Sequence, residues 1–230
     1  MNQAIILFTK TPIPGEVKTR LHQILTPRMT AILYRCFLKD LLDTCRLQDK
    51  TKIFVSYTPR EGKKYFARHA PFATRILQRK GNLGKKIYHA FVTVFRKKGI
   101  QSALLLCGDS PDIPPTFIRD ALLYLKKKGQ RAVLGPCSDG GPYAIGFNDL
   151  SMASLVLHIF WREKEAVDAC LEFIKKNNWN VKVLPEWYDI DRPEDIKLLL
   201  RHIRQNRKTK KNTMTERFFS HFYEAFADKK

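Results

Sequence analysis

Short apolar runs alternate with longer amphipathic stretches along most of the chain. The runs are bounded by Gly, Pro or charged residues and comprise Ala4–Phe8, Ile53–Tyr57, Ser102–Cys107 and Ala132–Leu134. Runs of this kind are typical of buried strands in a largely parallel sheet. The stretches between them have helical periodicity over Pro27–Leu47, about Gly62–His69, Leu83–Lys97 and Pro114–Lys128. Strands that alternate with helices predict βαβ units and an α/β fold.

After Pro142 the alternation becomes less regular. The pattern there predicts a short strand at Tyr143–Phe147, a helix at Lys164–Lys176, a strand at Val181–Leu184 and a helix at Pro193–Arg204. We expect a doubly wound, mostly parallel mixed sheet between two helical layers, with a modified second half. Such folds bind ligands beyond the carboxyl ends of their strands, so the loops TKTPIPGEVKTRL, GDSPDIPP and GPCSDGGP are the candidate functional segments.

Composition narrows the classes of partner. The chain has 42 Lys and Arg against 22 Asp and Glu, a net charge of +20, which favours anionic partners such as nucleotides, nucleic acid or acidic membrane. The excess is spread over predicted helix ends, where the helix dipole and solvation favour Lys, and no RNA-recognition signature or zinc-finger spacing accompanies it. We therefore interpret the charge as solvated surface and do not expect nucleic acid as a partner.

Cysteine usage and the absence of targeting signals predict a cytoplasmic protein. The five cysteines have no metal-binding spacing, and most lie in apolar runs, as expected of small core residues in a reducing compartment. The N-terminal segment MNQAIILFTK lacks the features of a signal peptide, and no apolar run is long enough to cross a membrane.

A change of composition divides residues 1–204, the predicted globular domain, from residues 205–230. The second segment begins as a basic linker, and Thr213 and Glu216 then have the spacing of a capping box. The aromatic residues that follow at helical intervals are Phe218, Phe219, Phe222 and Phe226. We expect this amphipathic helix to dock on its own domain or on a second copy in a homodimer, with peripheral membrane contact as the alternative.

The loop Thr11–Leu21 has the composition of a phosphate-binding segment without being a Walker A loop. A Walker A loop needs Gly directly before Lys-Ser/Thr, whereas Val17 precedes Lys18 and Thr19 here. A loop stiffened by Pro14, with Gly15 as its flexible residue, nevertheless follows the first predicted strand. The cations near it are Lys10, Lys18 and Arg20. These features predict a diphosphate-binding loop rather than a P-loop NTPase.

Three carboxylates suggest a metal site that faces this loop. Asp109 directly follows a predicted strand, and carboxylates in that position can hold Mg²⁺ or Mn²⁺ beside a phosphate. Asp189 and Asp191 alternate along an extended segment, and like charges placed together favour a bound cation. The alternative, that Asp191 caps the helix near Pro193, explains only one of the two. Asp112 is interpreted as a helix N-terminal residue.

The segment GPCSDGGPYAIGF is compatible with two interpretations. Gly140 and Gly141 would let the backbone approach a ligand, and Asp139 would accept a hydrogen bond from a hydroxyl or a base. A hairpin turn would use the same Asp-Gly sequence.

Five motifs in this order, FTKTPIPGEVKTRL, GNLGKK, LLLCGDSPDIP, GPCSDGGPYAIG and DIDRPEDI, resemble the DUF2064 family over about residues 4 to 200. That family is assigned to glycosyltransferases of the GT-A, nucleotide-diphospho-sugar transferase fold, and some members are named for arsenosugar biosynthesis. It is also similar to guanylyltransferases that act on phospholactate, phosphoenolpyruvate or the molybdenum cofactor. The resemblance implies the same fold and a transferase activity.

The resemblance also implies site residues. It places the nucleotide against Lys10, Gly15, Lys18 and Arg20, and makes Asp109, Asp189 and Asp191 the metal ligands. The remaining predicted nucleotide-binding residues lie in the same motifs and are Pro14, Thr19, Gly84, Gly108, Gly140 and Gly141. Two residues differ from those usual in the family's motifs: Pro142 replaces the first Tyr of a DGGYY motif, and Lys86 replaces an Arg. Both differences bear on substrate preference and on whether the chain has kept the family's activity.

Two enzyme functions follow. The first is a metal-dependent glycosyltransferase in which Lys18 and Arg20 stabilise the leaving diphosphate, and Asp139 lies near a small-molecule acceptor. The alternative is a nucleotidyltransferase that joins an NTP to a phosphorylated small molecule and releases pyrophosphate. A non-catalytic basic protein is the third interpretation, but it leaves the carboxylates unexplained.

Overall fold

The computed structural model describes residues 2–161, 165–206 and 213–222. The strands are β1 (Asn2–Lys10), β2 (Thr51–Thr58), β3 (Thr74–Leu77), β4 (Ile100–Cys107), β5 (Arg131–Pro136), β6 (Pro142–Phe147) and β7 (Asn180–Val183). The α-helices are α1 (Pro27–Arg46), α2 (Lys63–His69), α3 (Leu83–Phe95), α4 (Pro115–Leu125), α5 (Ala166–Lys176), α6 (Pro193–Asn206) and α7 (Met214–His221). The predicted linker residues 207–212, Phe226, and Lys164 at the start of a predicted helix lie outside the described residues.

The strands form one seven-stranded sheet in the order β3-β2-β1-β4-β6-β5-β7. The neighbours β3, β2, β1 and β4 pair in parallel, and so do β5 and β7, whereas β6 pairs antiparallel with both β4 and β5. The predicted α/β fold with a mostly parallel mixed sheet is therefore confirmed. The modification in the second half is the single reversed strand, which follows β5 through a tight turn.

Alternating residues of β1 face two separate cores. Ile5 and Leu7 pack in one apolar cluster, and Ala4 and Ile6 pack in the other, as the period of two in a strand requires. The first cluster includes buried residues of α1, α4, α6 and α7, and the second includes those of α3 and α5. Helices thus cover both faces, which confirms the three-layer arrangement.

Local sequence signals explain the helix starts that face the site. Thr26 caps α1 by accepting a hydrogen bond from the Met29 amide at 3.2 Å, and Pro27 occupies the first turn. Asn82 caps α3 in the same way through the Lys85 amide at 2.9 Å. Because α3 follows β3 in the chain, its first turn lies at the carboxyl edge of the sheet, beside the ends of β1 and β2.

Two larger elements, and the short 3₁₀ helices Thr19–Gln23 and Arg60–Gly62, were absent from the sequence-based pattern. Strand β3 at the sheet edge has only Ile76 buried, so its sequence lacks the apolar run of a central strand. Residues Leu150–Leu157 form a 3₁₀ helix that packs on α3, where the sequence shows only an apolar stretch without helical periodicity.

The C-terminal helix α7 docks on α1. Thr213 accepts a hydrogen bond from the Glu216 amide at 3.1 Å, the first half of the predicted capping box. The carboxylate of Asp40 on α1 accepts hydrogen bonds from the amides of Met214 and Thr215, each at 2.8 Å. Phe218 and Phe219 are buried in the same core cluster as α1. In the part of the chain that the structure describes, no helix is both long enough and apolar enough to cross a bilayer.

Candidate active site

A cavity of about 250 Å³ opens at the carboxyl edge of β1, β2 and β4. Its charged lining residues are Lys10, Lys18, Lys86, Asp109 and Asp191, and its apolar lining includes Phe8, Val17 and Leu83. The cavity therefore combines cations suited to phosphate with apolar surface suited to a base or a sugar. Of the residues predicted from the sequence, it brings together the two lysines of the first loop and two of the three carboxylates.

The first loop is folded so that Lys18 points inward. The Thr11 amide donates to the Thr58 carbonyl at 2.7 Å, and Val17 is only 2% exposed, so both ends of the loop are fixed. Gly15 and Lys18 both have left-handed backbone, with φ of 85° and 48°. For a lysine this conformation is uncommon and persists only where the surroundings impose it, which is typical of functional sites.

Lys18 and Arg20 contact the carboxylates that were predicted to face them. Nζ of Lys18 lies 2.8 Å from Oδ1 of Asp109 and 3.8 Å from Oδ1 of Asp191. Arg20 donates a hydrogen bond from Nη1 to Oδ2 of Asp191. Lys18 is almost buried, with 6% of its side chain exposed, whereas Arg20 is 61% exposed. The ion pair of Lys18 is therefore less screened by solvent than that of Arg20.

Asp191 is not the cap of α6. Oδ2 of Asp195 accepts hydrogen bonds from the amides of Asp191 and Arg192, at 2.9 and 2.7 Å, and so caps the helix from within its first turn. The side chain of Asp191 is thereby left to contact Lys18 and Arg20. The capping interpretation that the sequence allowed for Asp191 is wrong.

Gly108 lets β4 end against the side chains of β1 and α1. A Cβ at this position would lie 2.9 Å from Oγ1 of Thr9 and 3.0 Å from the hydroxyl of Tyr34. These two oxygens are hydrogen-bonded at 2.7 Å. Burial raises the pKa of Tyr34, and the nearby charge of Asp109 adds to the shift. Gly108 thus positions Asp109 by close packing. Tyr34 could not be recognised as a site residue from the sequence, because it belongs to the buried face of α1.

The segment Trp187–Asp191 is held between two strand-end loops. The Ile190 amide donates to the Asp109 carbonyl at 3.0 Å, and the Ser110 hydroxyl donates to the Tyr188 carbonyl at 2.9 Å. On the other side, the Ser138 amide donates to the Trp187 carbonyl at 3.0 Å. These bonds bring Asp189 and Asp191 to the same edge of the sheet as Asp109.

Asp112 holds the two aromatic residues of this segment, Trp187 and Tyr188, in place. Its Oδ2 accepts a hydrogen bond from the Tyr188 hydroxyl, and its Oδ1 accepts one from Nε1 of Trp187 at 3.4 Å. Nδ1 of His202 on α6 lies 3.4 Å from the same carboxylate. Burial raises the pKa of Tyr188, and the charge of Asp112 adds to it. Asp112 was predicted only as a helix N-terminal residue, whereas it connects β4, the Trp187–Asp191 segment and α6.

Asp189 lies in a second cluster beside the cavity. Potential ligand atoms of Cys137, Asp139 and Asp189 lie within 4.8 Å of one another, and among the described residues no other set of three does so. The thiol of Cys137 donates to Oδ1 of Asp189 at 3.6 Å. Burial raises the pKa of Asp189; Lys18 lowers it, and Asp139, Asp109 and Asp191 raise it further. The charges of Asp109, Asp189 and Asp191 therefore interact, although these three carboxylates do not form a set of ligand atoms within 4.8 Å of one another.

The cluster fits a divalent cation. Oxygen ligands from Asp139 and Asp189 suit Mg²⁺ and Mn²⁺. Burial raises the pKa of the Cys137 thiol to about 12, so Cys137 is the weakest ligand of the three. Burial, and after it the charges of Asp139, Asp109 and Asp191, raise the pKa of Asp189, and a bound cation would offset the repulsion among these carboxylates. Asp109 and Asp191 belong to the same environment but are paired with Lys18. Cys137, considered as a core residue from the sequence, is an additional member of the site.

The turn of residues 137–141 is built by its own backbone. Gly140 has φ of 92°, the Gly141 amide donates to Oδ1 of Asp139 at 2.9 Å, and the Cys137 amide donates to the Gly141 carbonyl at 2.7 Å. The hairpin-turn interpretation therefore accounts for Gly140, whose backbone is left-handed, and for the hydrogen bond between Asp139 and the Gly141 amide. Asp139 is exposed at the tip of the turn, beside the Asp189 cluster.

Other predicted nucleotide-binding residues lie around the cavity rather than in its lining. Pro14, Gly15 and Thr19 are exposed and do not line it. Gly84 is buried, and a Cβ there would overlap the Val156 carbonyl oxygen and approach Nε1 of Trp161 at 3.0 Å. Close packing of α3 on the 3₁₀ helix explains this glycine without a ligand.

Gln78 is a cavity residue that the sequence did not indicate. Its Nε2 donates to the carbonyl oxygens of Thr9 and Ser56, both at 3.0 Å, and so ties the ends of β1 and β2 together. With both amide hydrogens used in this way, the side chain is fixed at the wall of the cavity. Gln78 follows the short edge strand β3, which was also not predicted.

Comparison with known proteins gives a family and a set of structural relatives. The family model described as an uncharacterized protein conserved in bacteria (DUF2064) matches residues 41–163. A protein from Desulfovibrio desulfuricans, provisionally assigned as a nucleotide-diphospho-sugar transferase, is 28% identical, with a TM-score of 0.87 over 97% of this chain and 96% of that chain. The search of curated proteins found no match.

More distant solved structures share the fold. The 4-diphosphocytidyl-2C-methyl-D-erythritol synthase of Anaerococcus prevotii is 12% identical, with a TM-score of 0.59 over 89% of this chain and 96% of that chain. A Mycobacterium tuberculosis protein in complex with manganese is 14% identical, with a TM-score of 0.53 over 87% of this chain and 98% of that chain. At these identities the likeness concerns the fold alone.

Proposed function

The chain belongs to the DUF2064 family, and from this premise we propose that it is a metal-dependent glycosyltransferase that transfers a sugar from a nucleotide-diphospho-sugar to a small-molecule acceptor. It is an enzyme of the transferase class, as is its 28% identical relative of the same fold. We propose residues 1–204 as the catalytic unit and residues 205–230 as an appended segment.

One observation carries the proposal: cations and carboxylates meet at the carboxyl edge of the sheet, around a cavity with an apolar wall. Lys10, Lys18 and Lys86 line this cavity together with Asp109 and Asp191. Lysines without carboxylates would suit any anion. The combination suits a diphosphate that is shared between the protein and a divalent cation.

Each residue has a definite task in the transfer. Lys10 and Lys86 are placed to bind the diphosphate, and Lys18 and Arg20 offset the charge that develops on it as the bond between C1 of the sugar and the phosphate oxygen breaks. Phe8 and Leu83 offer the base or the sugar an apolar surface. Lys86, which stands where the family has Arg, supplies a point charge rather than a planar fork.

A divalent cation fits beside Asp189, where Asp109, Asp139 and Asp191 share its environment. When bound, Mg²⁺ or Mn²⁺ would supply Lewis-acid stabilisation of the leaving nucleoside diphosphate. Asp139, which is exposed in the turn of residues 137–141, is the carboxylate that we propose beside the acceptor hydroxyl.

A nucleotidyltransferase is the second candidate, favoured by the three lysines that surround one small cavity. In that reaction an oxygen of a phosphorylated substrate attacks the α-phosphate of an NTP and pyrophosphate leaves. The same cations would then bind the β- and γ-phosphates. The synthase from Anaerococcus prevotii, which is named for a diphosphocytidyl product, shares this fold. The fold is therefore compatible with nucleotidyl transfer as well as with sugar transfer.

A thermal-shift screen with product analysis separates the two functions. We expect UDP- or GDP-sugars with Mn²⁺ to raise the melting temperature and to yield a nucleoside diphosphate on turnover. Stabilisation by an NTP with release of pyrophosphate would select the alternative. Oligonucleotide binding with a strong salt dependence, and no response to any nucleotide, would overturn both. Asp109→Asn, which removes a charge without changing the side-chain shape, should abolish the Mn²⁺-dependent part of the stabilisation.

A further inference from the structure

The two carboxylates nearest the phosphate-binding loop already share a cation that the chain supplies. Nζ of Lys18 lies between Asp109 and Asp191, at 2.8 and 3.8 Å. Arg20 also contacts Asp191, but from a largely exposed position. The ion pairs of the buried Lys18 ammonium are therefore less screened by solvent than the ion pair of Arg20. A cation that binds Asp109 and Asp191 must therefore displace Lys18.

The position of Lys18 is built into the loop. Its left-handed backbone, with φ of 48° and ψ of 43°, follows the core residue Val17 and directs the side chain inward. The ammonium approaches the ring of Tyr34, 5.9 Å from its centroid, and lines the same cavity as Lys10 and Lys86. Because Lys has a flexible four-carbon stem, Nζ can move from a carboxylate to a phosphate in this cavity without a change of backbone.

We propose that Lys18 is an internal competitor of the divalent cation. In the free protein its ammonium holds Asp109 and Asp191 together. When a nucleoside diphosphate binds, the ammonium transfers to a phosphate oxygen, and both carboxylates become available to the cation already attracted by Asp189. This inference rests on the proposed function, because it assigns the order in which one site takes up nucleotide and cation.

Competition of this kind makes the two ligands cooperative. Each ligand raises the affinity for the other, since the nucleotide removes Lys18 from the carboxylates and the cation favours its removal. If Lys18 only bound phosphate, its ammonium would either have no effect on the cation affinity of the free protein or lower that affinity slightly by repulsion. Removal of Lys18 therefore distinguishes a competitor from a simple phosphate ligand.

The test is a titration of the full chain with Mn²⁺ alone, in which free Mn²⁺ is measured by electron paramagnetic resonance. Lys18→Met removes the ammonium and keeps the length of the stem. Lys18→Asn is a second variant in case the first does not fold, because Asn tolerates left-handed backbone. Lys86→Met is the matched control: it removes a charge from the same cavity.

We expect the free protein to bind Mn²⁺ weakly and both Lys18 variants to bind it at least about tenfold more tightly, whereas Lys86→Met stays within about threefold of the wild type. Adding Asp109→Asn to Lys18→Met should remove the gain, because Asp109 is one of the ligands set free. Circular dichroism of each variant establishes that it is folded.

Two results would overturn the inference and leave the proposed function intact. Either the Lys18 variants bind Mn²⁺ no more tightly than a wild type that does bind it, or Lys86→Met gains as much as they do, which would indicate a general effect of charge. If neither the wild type nor any variant binds Mn²⁺, both the inference and the metal-dependent part of the proposed function fail.

Discussion

The backbone amide of Ile190 donates a hydrogen bond to the carbonyl oxygen of Asp109, with the two atoms 3.0 Å apart. This bond joins two carboxylate-bearing segments that are distant in the sequence, and the Ser110 hydroxyl adds a second bond to the Tyr188 carbonyl. The arrangement of the charged groups therefore depends on the backbone of the segment Trp187–Asp191. Changes that loosen this segment should affect the site even where they touch no charged ligand.

Tyr188→Phe is the first test of that dependence. The variant removes a hydroxyl that donates to the largely buried carboxylate of Asp112, and we expect it to lower the free energy of unfolding by about 1–3 kcal/mol. Tyr143→Phe is the matched control, because its hydroxyl donates to the neutral Pro185 carbonyl at 3.0 Å, and its loss should cost about 0.5–1.5 kcal/mol. Denaturant unfolding measures both, and an equal or smaller cost for Tyr188→Phe would contradict the role of Asp112.

The sequence predicted the fold well where periodicity determines it. The apolar runs of β1, β2, β4 and β5, the boundaries of α1 and the end of α5 agree with the structure, because buried strands and amphipathic helices leave direct patterns. The position of β6 between β4 and β5 could not be predicted in this way. It depends on pairing between strands that are distant in the sequence, and an apolar run carries no information about its neighbour.

The candidate site was predicted in part for the same reason. Lys18, Arg20, Asp109 and Asp191 lie in strand-end loops, and the fold itself brings such loops together. Tyr34, Asp112 and Gln78 contribute through hydrogen bonds to distant residues, for which a single sequence holds no local signal. All the predicted nucleotide contacts, including those of Pro14, Gly15, Thr19 and Gly84, remain predictions.

Gly84→Ala separates packing from ligand binding at the start of α3. The added Cβ would overlap the Val156 carbonyl oxygen, and we expect a loss of about 1–3 kcal/mol of stability. Gly129→Ala is the control: it has open space around it and φ of 80°, so its cost should come only from the left-handed backbone, about 1 kcal/mol. If Gly84→Ala leaves the melting temperature unchanged and weakens nucleotide binding, Gly84 is a ligand contact rather than a packing residue.

Gln78→Glu tests the wall of the cavity. The substitution replaces two donors with acceptors opposite the Thr9 and Ser56 carbonyls, and we expect it to destabilise the protein by about 1–3 kcal/mol and to weaken nucleotide binding. Gln101→Glu, at an exposed position, should change stability by no more than about 0.5 kcal/mol. Calorimetric titration with nucleotide and unfolding curves report the two effects. Unchanged values for Gln78→Glu would show that the amide does not tie β1 to β2.

Asp40 gives the protein a pH dependence at the docking site of α7. Burial raises the pKa of Asp40, and the hydrogen bonds from Thr215 and Met214 only partly oppose this shift. A carboxyl group whose folded pKa lies above its unfolded value contributes stability that is complete below the unfolded pKa and is lost as the pH rises through the folded pKa. We therefore expect the stability of the wild type relative to Asp40→Asn to fall over the pH range above the unfolded value of about 4.

Urea unfolding of both proteins across this range checks the sign. Asp49→Asn, at an exposed position shortly after the same helix, is the control for general charge effects. A wild type that gains stability relative to Asp40→Asn with rising pH would show that the two amide donors outweigh the cost of burial.

Anomalous diffraction from crystals grown with Mn²⁺ and soaked in turn with UDP, GDP and CDP tests the central claim most directly. We predict that one nucleotide places its diphosphate among Lys10, Lys18 and Lys86, with the manganese peak between that diphosphate and the carboxylate of Asp189. A nucleotide bound away from this cavity, or a manganese ion that contacts none of Asp109, Asp189 and Asp191, would contradict the account.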